Sequence, residues 1–162
     1  HTAYRRQRQM CIRDRASTAR SLAPFSEVAA LGELPRLVAQ ADYVVNLLPN
    51  TPATRDIYDA ALLARFQPSA VLINAGRGTA VVDEDLVAAL ASGQLAAAVI
   101  DVCREEPLPA GHPFWAARNL TLTGHSAAPT LPHLLVELFL ANLQCYRAGA
   151  ELQGLVDFAR GY

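Results

Sequence analysis

The sequence predicts an α/β fold built on a doubly wound parallel sheet, and three observations carry the prediction. Short runs rich in Val, Ile, Leu and Ala alternate along the chain with amphipathic stretches, the order expected of βα units. The runs are four to six residues long and are bounded by Pro, Gly or polar residues, which suits strands rather than buried helices. A hydrophobic fraction of 52% with 18% charged residues provides for a packed core and excludes a disordered chain.

Taken in chain order, a helix is expected at 31–40, followed by a strand at 43–48 (YVVNLL) and a helix at 59–65. A second strand falls at 70–74 (AVLIN) and a third helix at 84–91. Asp83, with acids after it, is expected to cap the start of that helix, and Gly93 to stop it. Strands follow at 97–102 (AAVIDV) and 120–123 (LTLT), then a long helix at 132–148. Apolar on both of their alternating faces, the strands are expected to be buried on both sides.

At 162 residues the chain has the size of one domain,. Its formal net charge of -1 conceals an asymmetry, because all 14 basic residues are Arg and five of them crowd the first fifteen positions. Beyond residue 15, nine Arg face fourteen acids, a net charge of -5. An acidic body argues against nucleic acid as a partner. The three cysteines are far apart and lack paired spacing, so neither a disulfide framework nor a metal site is expected, and a cytoplasmic location is. The most apolar stretch, 134–143, is interrupted by Glu137 and Asn142, and no membrane anchor is expected.

The segment 1–15 (HTAYRRQRQMCIRDR) has no apolar periodicity. An RNA-binding arm or a transit peptide fits poorly with the acidic body and the lack of Ser enrichment. It resembles translated library-adaptor sequence, and it is expected to be non-native or disordered and to lie outside the fold.

In doubly wound sheets, ligands sit at the carboxyl ends of the strands. The residues following each strand are Pro49-Asn50-Thr51-Pro52, Ala75-Gly76-Arg77-Gly78, Cys103-Arg104-Glu105-Glu106-Pro107 and Gly124-His125-Ser126. One Arg, one Glu and one His thereby converge on a single rim. A His beside a carboxylate is a proton donor and acceptor tunable near neutral pH. An Arg between two glycines can approach a small anion and grip a carboxylate with its planar fork. Together they can hold a 2-oxo acid and protonate its carbonyl oxygen, provided that a nicotinamide supplies hydride. Singly, Arg77 suits a turn, Glu106 a solvated loop and His125 a structural hydrogen bond; their joint placement favours the functional reading. Asp101 suits either a loop cap or an acceptor for a carboxamide, and His112 and His133 are expected to be structural.

These residues lie in blocks that resemble the D-isomer-specific 2-hydroxyacid dehydrogenase family, in its glyoxylate/hydroxypyruvate reductase A branch. The blocks are LLPNTPATR at 47–55, LINAGRGTAVVDEDLVAALASGQL at 72–95, IDVCREEPLP at 100–109, LTLTGHSAA at 120–128 and the tail VDFARGY at 156–162. The resemblance implies that Arg77 binds the substrate carboxylate, that His125 is the acid/base and that Glu106 is its partner. It implies further that Leu48, Pro49, Thr51, Ala75, Gly76 and Asp101 line the cofactor, and that Arg20 meets the 2'-phosphate of NADPH. The implied cofactor is NADP or NAD, NADPH being favoured, and the implied partners are a small 2-oxo acid and a second copy in a homodimer.

Three residues depart from the family pattern: Gly124 where Pro is usual, Cys103 where Phe is usual and Ala97 where Gly is usual. Gly124 is expected to loosen the His125 loop. The glycine-rich G-x-G-x-x-G turn that holds the pyrophosphate is absent from the sequence,. The expected organisation is therefore a partial Rossmann-like fold: residues 16–128 as the C-terminal half of a cofactor domain with its later strands only, and 129–162 as a helix and tail returning to a missing substrate domain. A non-catalytic cofactor sensor or co-repressor on the same fold, or an inactive fragment, is the alternative reading.

Overall fold

A computed structural model describes residues 10–12, 27–128 and 131–156. Four strands, β3 (Tyr43–Asn46), β4 (Val71–Asn74), β5 (Ala97–Ile100) and β6 (Leu120–Leu122), form a parallel sheet in the order β3-β4-β5-β6. Two shorter strands, β1 (Met10–Ile12) and β2 (Glu27–Ala29), pair in parallel as a second sheet. Sequential strands that neighbour one another in parallel require a crossover between them. Helix α2 (Ala60–Leu63) lies between β3 and β4 in the chain, and α3 (Asp83–Ser92) between β4 and β5.

The helices start and stop where local chemistry directs. Asp59 caps α2 by accepting from the Leu62 amide at 2.8 Å, and Asp85 accepts the Ala60 amide at 2.8 Å,. The acids of the first turn of α3 favour its positive end, and Gly93 closes the helix at φ 76°, as expected,. Asp83, however, is the first residue of α3 rather than its cap; the cap position belongs to Val82. The Asp83 carboxylate is turned instead to His112, at 3.3 Å, and Arg104, at 3.7 Å. The helix expected at 31–40 is a 3-10 turn, Leu31–Glu33, running into α1 (Leu34–Val38). The last helix, α4 (Pro132–Arg147), opens on a proline and has Arg147 in its last turn,.

The in-register ladder shows why the sheet has two unlike faces. Val44, Leu72, Ala98 and Leu120 are partners across it, as are Asn46, Asn74, Ile100 and Leu122. The apolar members of both rows pack in or against the core shared with Leu34, Val38, Leu62, Leu63, Leu86 and Leu90. On the other face Tyr43 and Val45 are exposed and Val71, Ile73, Ala97 and Val99 are only partly covered. The expectation of strands buried on both sides is thus corrected, since the helices that join the core pack against one face. Two strands were not expected. Met10–Ile12 falls in the segment expected to lie outside the fold, a short apolar run set among arginines, and Glu27–Ala29 is only three residues long.

Candidate active site

The site rim is assembled from four loops at the carboxyl ends of β3 to β6, and two buried asparagines set the first two of them. Asn46 and Asn74 end β3 and β4 and are almost fully buried, where an amide must find partners,. The Asn46 Nδ2 donates to Asn74 Oδ1 at 2.8 Å. Asn46 Oδ1 accepts the Leu48 amide at 3.2 Å, and Asn74 Oδ1 accepts the Gly76 amide at 3.2 Å. The Asn74 Nδ2 donates to the Arg77 carbonyl at 3.1 Å. The loop carrying Leu48 and the loop carrying Arg77 are thereby fixed to one another. Neither asparagine was expected to matter, although a polar residue inside an apolar strand is itself the sign of a buried hydrogen-bond network.

Glycines allow the close approach of these loops. A Cβ on Gly76 would lie 2.9 Å from the Leu48 carbonyl oxygen, and one on Gly78 would lie 2.0 Å from the Cys103 carbonyl carbon. No side chain fits at Gly78, so the Arg77 loop rests directly on the start of the Glu106 loop. Arg77 between them is exposed, with Nη1 donating to the Gly76 carbonyl at 2.7 Å. It makes no ion pair among the described residues, so its charge is available to an anion.

Glu106 and His125 meet as their sequence positions suggest. His125 Nδ1 lies 2.8 Å from Glu106 Oε2, and Glu106 Oε1 accepts the Cys103 amide at 2.8 Å. These bonds, the one with His125 foremost, hold the Glu106 carboxyl below the usual glutamate range,. Nε2 of His125 has no protein partner among the described residues, which leaves one ring nitrogen for a substrate.

His125 itself occupies the left-handed region at φ 54°, a conformation uncommon for a residue with a side chain,. Asp101 supports it. The His125 amide donates to the Asp101 carbonyl at 2.8 Å. The Asp101 carboxylate accepts the Thr123 hydroxyl, the Ser126 amide at 3.0 Å and the Ala127 amide at 2.9 Å. Those three bonds, led by the hydroxyl, lower its pKa. Asp101 is therefore a loop cap in this structure, and one lone-pair direction of a carboxylate's four remains for another donor. The loop is held from both sides although Gly124 brings no side chain, and a Cβ there would meet open space. The loosening expected from Gly124 is thus countered by the bonds to Asp101, and the left-handed backbone lies at His125, not at Gly124.

The remaining expected cofactor residues line the β3 and β4 ends. Thr51 is buried, with its amide donating to Thr54 Oγ1 at 2.9 Å and its hydroxyl 3.0 Å from the same atom. Thr54 also donates to the Pro49 carbonyl at a normal short O–H···O distance of 2.5 Å, so the 49–54 turn is internally braced. Leu48 and Ala75 are partly buried beside Gly76. Leu48, Pro49, Thr51, Ala75, Gly76 and Asp101 thus follow the carboxyl ends of β3, β4 and β5, the edge of such a sheet where a dinucleotide could be held,. Arg20 lies outside the described residues, as does the tail 157–162. His112 accepts the Phe114 amide at 3.3 Å through Nδ1 and faces Asp83 through Nε2, a structural role. Among the described residues no cluster of three metal ligands occurs, and no helix is long and apolar enough to cross a membrane.

Comparison with known proteins points to one family. Residues 9–127 match the family described as D-isomer specific 2-hydroxyacid dehydrogenase, NAD binding domain. The chain is 40% identical over 151 residues to a glyoxylate/hydroxypyruvate reductase A of Yersinia enterocolitica, covering 93% of this chain and 48% of that protein. It is 47% identical over 119 residues to the protein of the same name in Serratia proteamaculans, covering 74% and 38%. Among solved structures, an NADPH-dependent glyoxylate/hydroxypyruvate reductase from Sinorhizobium meliloti, in complex with NADP and sulfate, superposes with a TM-score of 0.84 at 32% identity, over 94% of this chain and 49% of that one. A probable 2-hydroxyacid dehydrogenase from Rhizobium etli, in complex with NADP, HEPES and tartaric acid, gives 0.79 at 34% identity, over 90% and 47%. The chain spans about half the length of these relatives.

Proposed function

Since the chain belongs to the D-isomer-specific 2-hydroxyacid dehydrogenase family, oxidoreductases that use NAD(P) and act on CH–OH groups, we propose that its parent protein reduces glyoxylate or hydroxypyruvate to glycolate or D-glycerate. The observation that carries this reading is the 2.8 Å pairing of His125 with Glu106, on a loop seated against the glycine that follows Arg77. Arg77 grips the substrate carboxylate in a bidentate fashion and draws electron density from the neighbouring carbonyl. His125 donates a proton to the oxygen of that carbonyl as it becomes an alkoxide, and Glu106 holds the ring in the orientation this requires. The bound cofactor supplies the hydride, and NADPH is the form favoured by the bound ligands named for the Sinorhizobium and Rhizobium proteins.

The same reading makes residues 16–128 the later half of a cofactor domain and 129–162 a helix and tail that pack on a substrate domain, in a homodimeric cytoplasmic enzyme. Without a glycine-rich phosphate turn, the 162-residue chain alone binds NADPH weakly. The test is an assay of NADPH oxidation by the full-length protein with glyoxylate and hydroxypyruvate. Turnover of either substrate is expected, and Arg77→Ala should raise KM by about a hundredfold with a smaller change in kcat, the loss expected for a charged hydrogen-bond partner. No turnover of any small 2-oxo acid with either nicotinamide would overturn the proposal.

A further inference from the structure

We propose that Arg104 is a positioning residue that holds the substrate-binding Arg77 loop in register with the proton-donating Glu106–His125 pair. The proposal rests on the roles given to those three residues above. Arg104 stands two positions before Glu106, yet its side chain reaches back to the far flank of the Arg77 loop. Its Nε donates to the Val81 carbonyl at 2.8 Å, and its Nη2 donates to the same carbonyl, to the Thr79 carbonyl at 3.4 Å and to Asp56. Thr79 and Val81 belong to and follow the 3-10 turn Gly78–Ala80 that comes directly after Arg77.

The other anchors of the guanidinium are themselves fixed. Asp56 occupies the left-handed region at φ 56°, and its amide donates to the Thr79 carbonyl at 2.9 Å. Asp83 lies 3.7 Å from Nε and is braced by His112. The Arg104 side chain is 31% exposed, so its head is partly withdrawn from water among two carboxylates and two carbonyls. A single exposed ion pair contributes little. A planar fork that ties several fixed acceptors together adds directional restraint that an ammonium does not reproduce. At the other end, the Cys103–Arg104 peptide is pressed against Gly78, and the Cys103 amide is bonded to Glu106. One residue thus fixes the offset between the group that grips the carboxylate and the group that delivers the proton. An error of about 1 Å in such an offset costs roughly a hundredfold in rate.

The experiment compares the full-length wild-type protein with Arg104→Met, Arg104→Lys and Asp56→Asn. Asn tolerates the left-handed backbone and removes only the charge. Steady-state kinetics are measured with the 2-oxo acid that the wild type turns over, together with amide hydrogen exchange over residues 78–82. Arg104→Met is expected to speed that exchange at least about tenfold, to raise KM about tenfold and to lower kcat, while the pH profile set by the intact His125–Glu106 pair stays in place. Arg104→Lys should recover part of the loss, and Asp56→Asn should fall between it and the wild type. Kinetic constants within twofold of wild type, or unchanged exchange over 78–82, would overturn the proposal. So would a fall in kcat alone that tracks the fraction of unfolded protein, because that is a structural effect. If Arg104→Met does not fold, Arg104→Lys and Asp56→Asn decide on the same criteria. If the wild type reduces no 2-oxo acid, the functional reading fails by itself, and hydrogen exchange alone decides whether Arg104 ties the two loops.

Discussion

The proposed catalytic rim and helix α4 differ in how far each is completed by the chain that contains it. On the rim, Asn46, Asn74 and Asp101 are buried and each is bonded to the loop it supports. No buried side-chain nitrogen or oxygen among the described residues lacks a partner. Helix α4 has no buried residue, and Leu134, Leu135, Leu138 and Phe139 are half or more exposed or close to it. A polar clasp, Asn142 with the backbone of Gln153 at 2.8 and 3.1 Å, folds the following segment back on the helix, and those four side chains stay exposed. Half-burial of four such side chains leaves about 1 kcal/mol each unrealised. The polar groups of the rim are satisfied by segments of this chain, whereas the apolar face of the helix is left half-exposed by them.

The sharpest way to exploit the completeness of the rim is to remove its reacting group without disturbing its scaffold. His125→Asn in the full-length protein deletes the proposed proton donor, while the backbone bond to Asp101 persists and Asn accepts the left-handed conformation,. A fall in kcat of about a thousandfold is expected, within the range for loss of a general acid, with little change in KM. Steady-state kinetics measure both. Turnover at the wild-type rate would show that the ordered rim does not perform the proton transfer assigned to it.

The same contrast separates what was legible in the sequence from what was not. The meeting of the loops that carry Arg77, Glu106 and His125 was legible because each follows a recognisable strand, and sheet topology alone puts the ends of β4, β5 and β6 side by side,. The 2.8 Å Glu106–His125 contact then needs only loops of ordinary length. Asn46 and Asn74 were hidden because a polar residue closing an apolar run reads as a boundary, not as a buried pair twenty-eight positions apart. Arg104 was hidden for a similar reason, since its partner Asp56 is forty-eight residues away. The open face of the sheet was hidden because Val45, Ile73 and Val99 are as apolar as their buried neighbours. Apolar character states what a face tolerates, and only packing states what covers it.

The helix side of the comparison is tested by charge. Leu135 and Phe139 are four residues apart and share one face of α4, 55% and 65% exposed,. Leu135→Glu with Phe139→Glu should leave the urea midpoint of the 162-residue chain almost unchanged, within about 0.5 kcal/mol as for other surface changes, and should reduce its self-association in size-exclusion chromatography. In the full-length protein the same pair should cost about 3 kcal/mol or more, because two apolar side chains lose their burial and two carboxylates enter an interface. Equal destabilisation of both proteins would mean that α4 is already packed within this chain, and the contrast drawn with the rim would fail.

The smallest expected effect lies back on the rim, in the acid response of the dyad. Hydrogen bonds from His125 and the Cys103 amide lower the Glu106 pKa in the folded protein. A carboxyl whose folded pKa is depressed binds fewer protons than its unfolded counterpart, so its contribution to stability is complete above the ordinary glutamate value of about 4.3. That contribution is lost as the pH falls toward and through the folded value. With a side chain 40% exposed, solvent screening limits the pair to about 1 kcal/mol or less,. Asp101, also depressed, has the same sign but is common to wild type and Glu106→Gln. The difference between their urea midpoints therefore isolates Glu106: wild type should be the more stable at about pH 6, and the difference should shrink as the pH falls below the ordinary glutamate value of about 4.3. A difference that held constant, or widened, toward acid would show that the carboxylate is not stabilised by its contacts with His125 and Cys103.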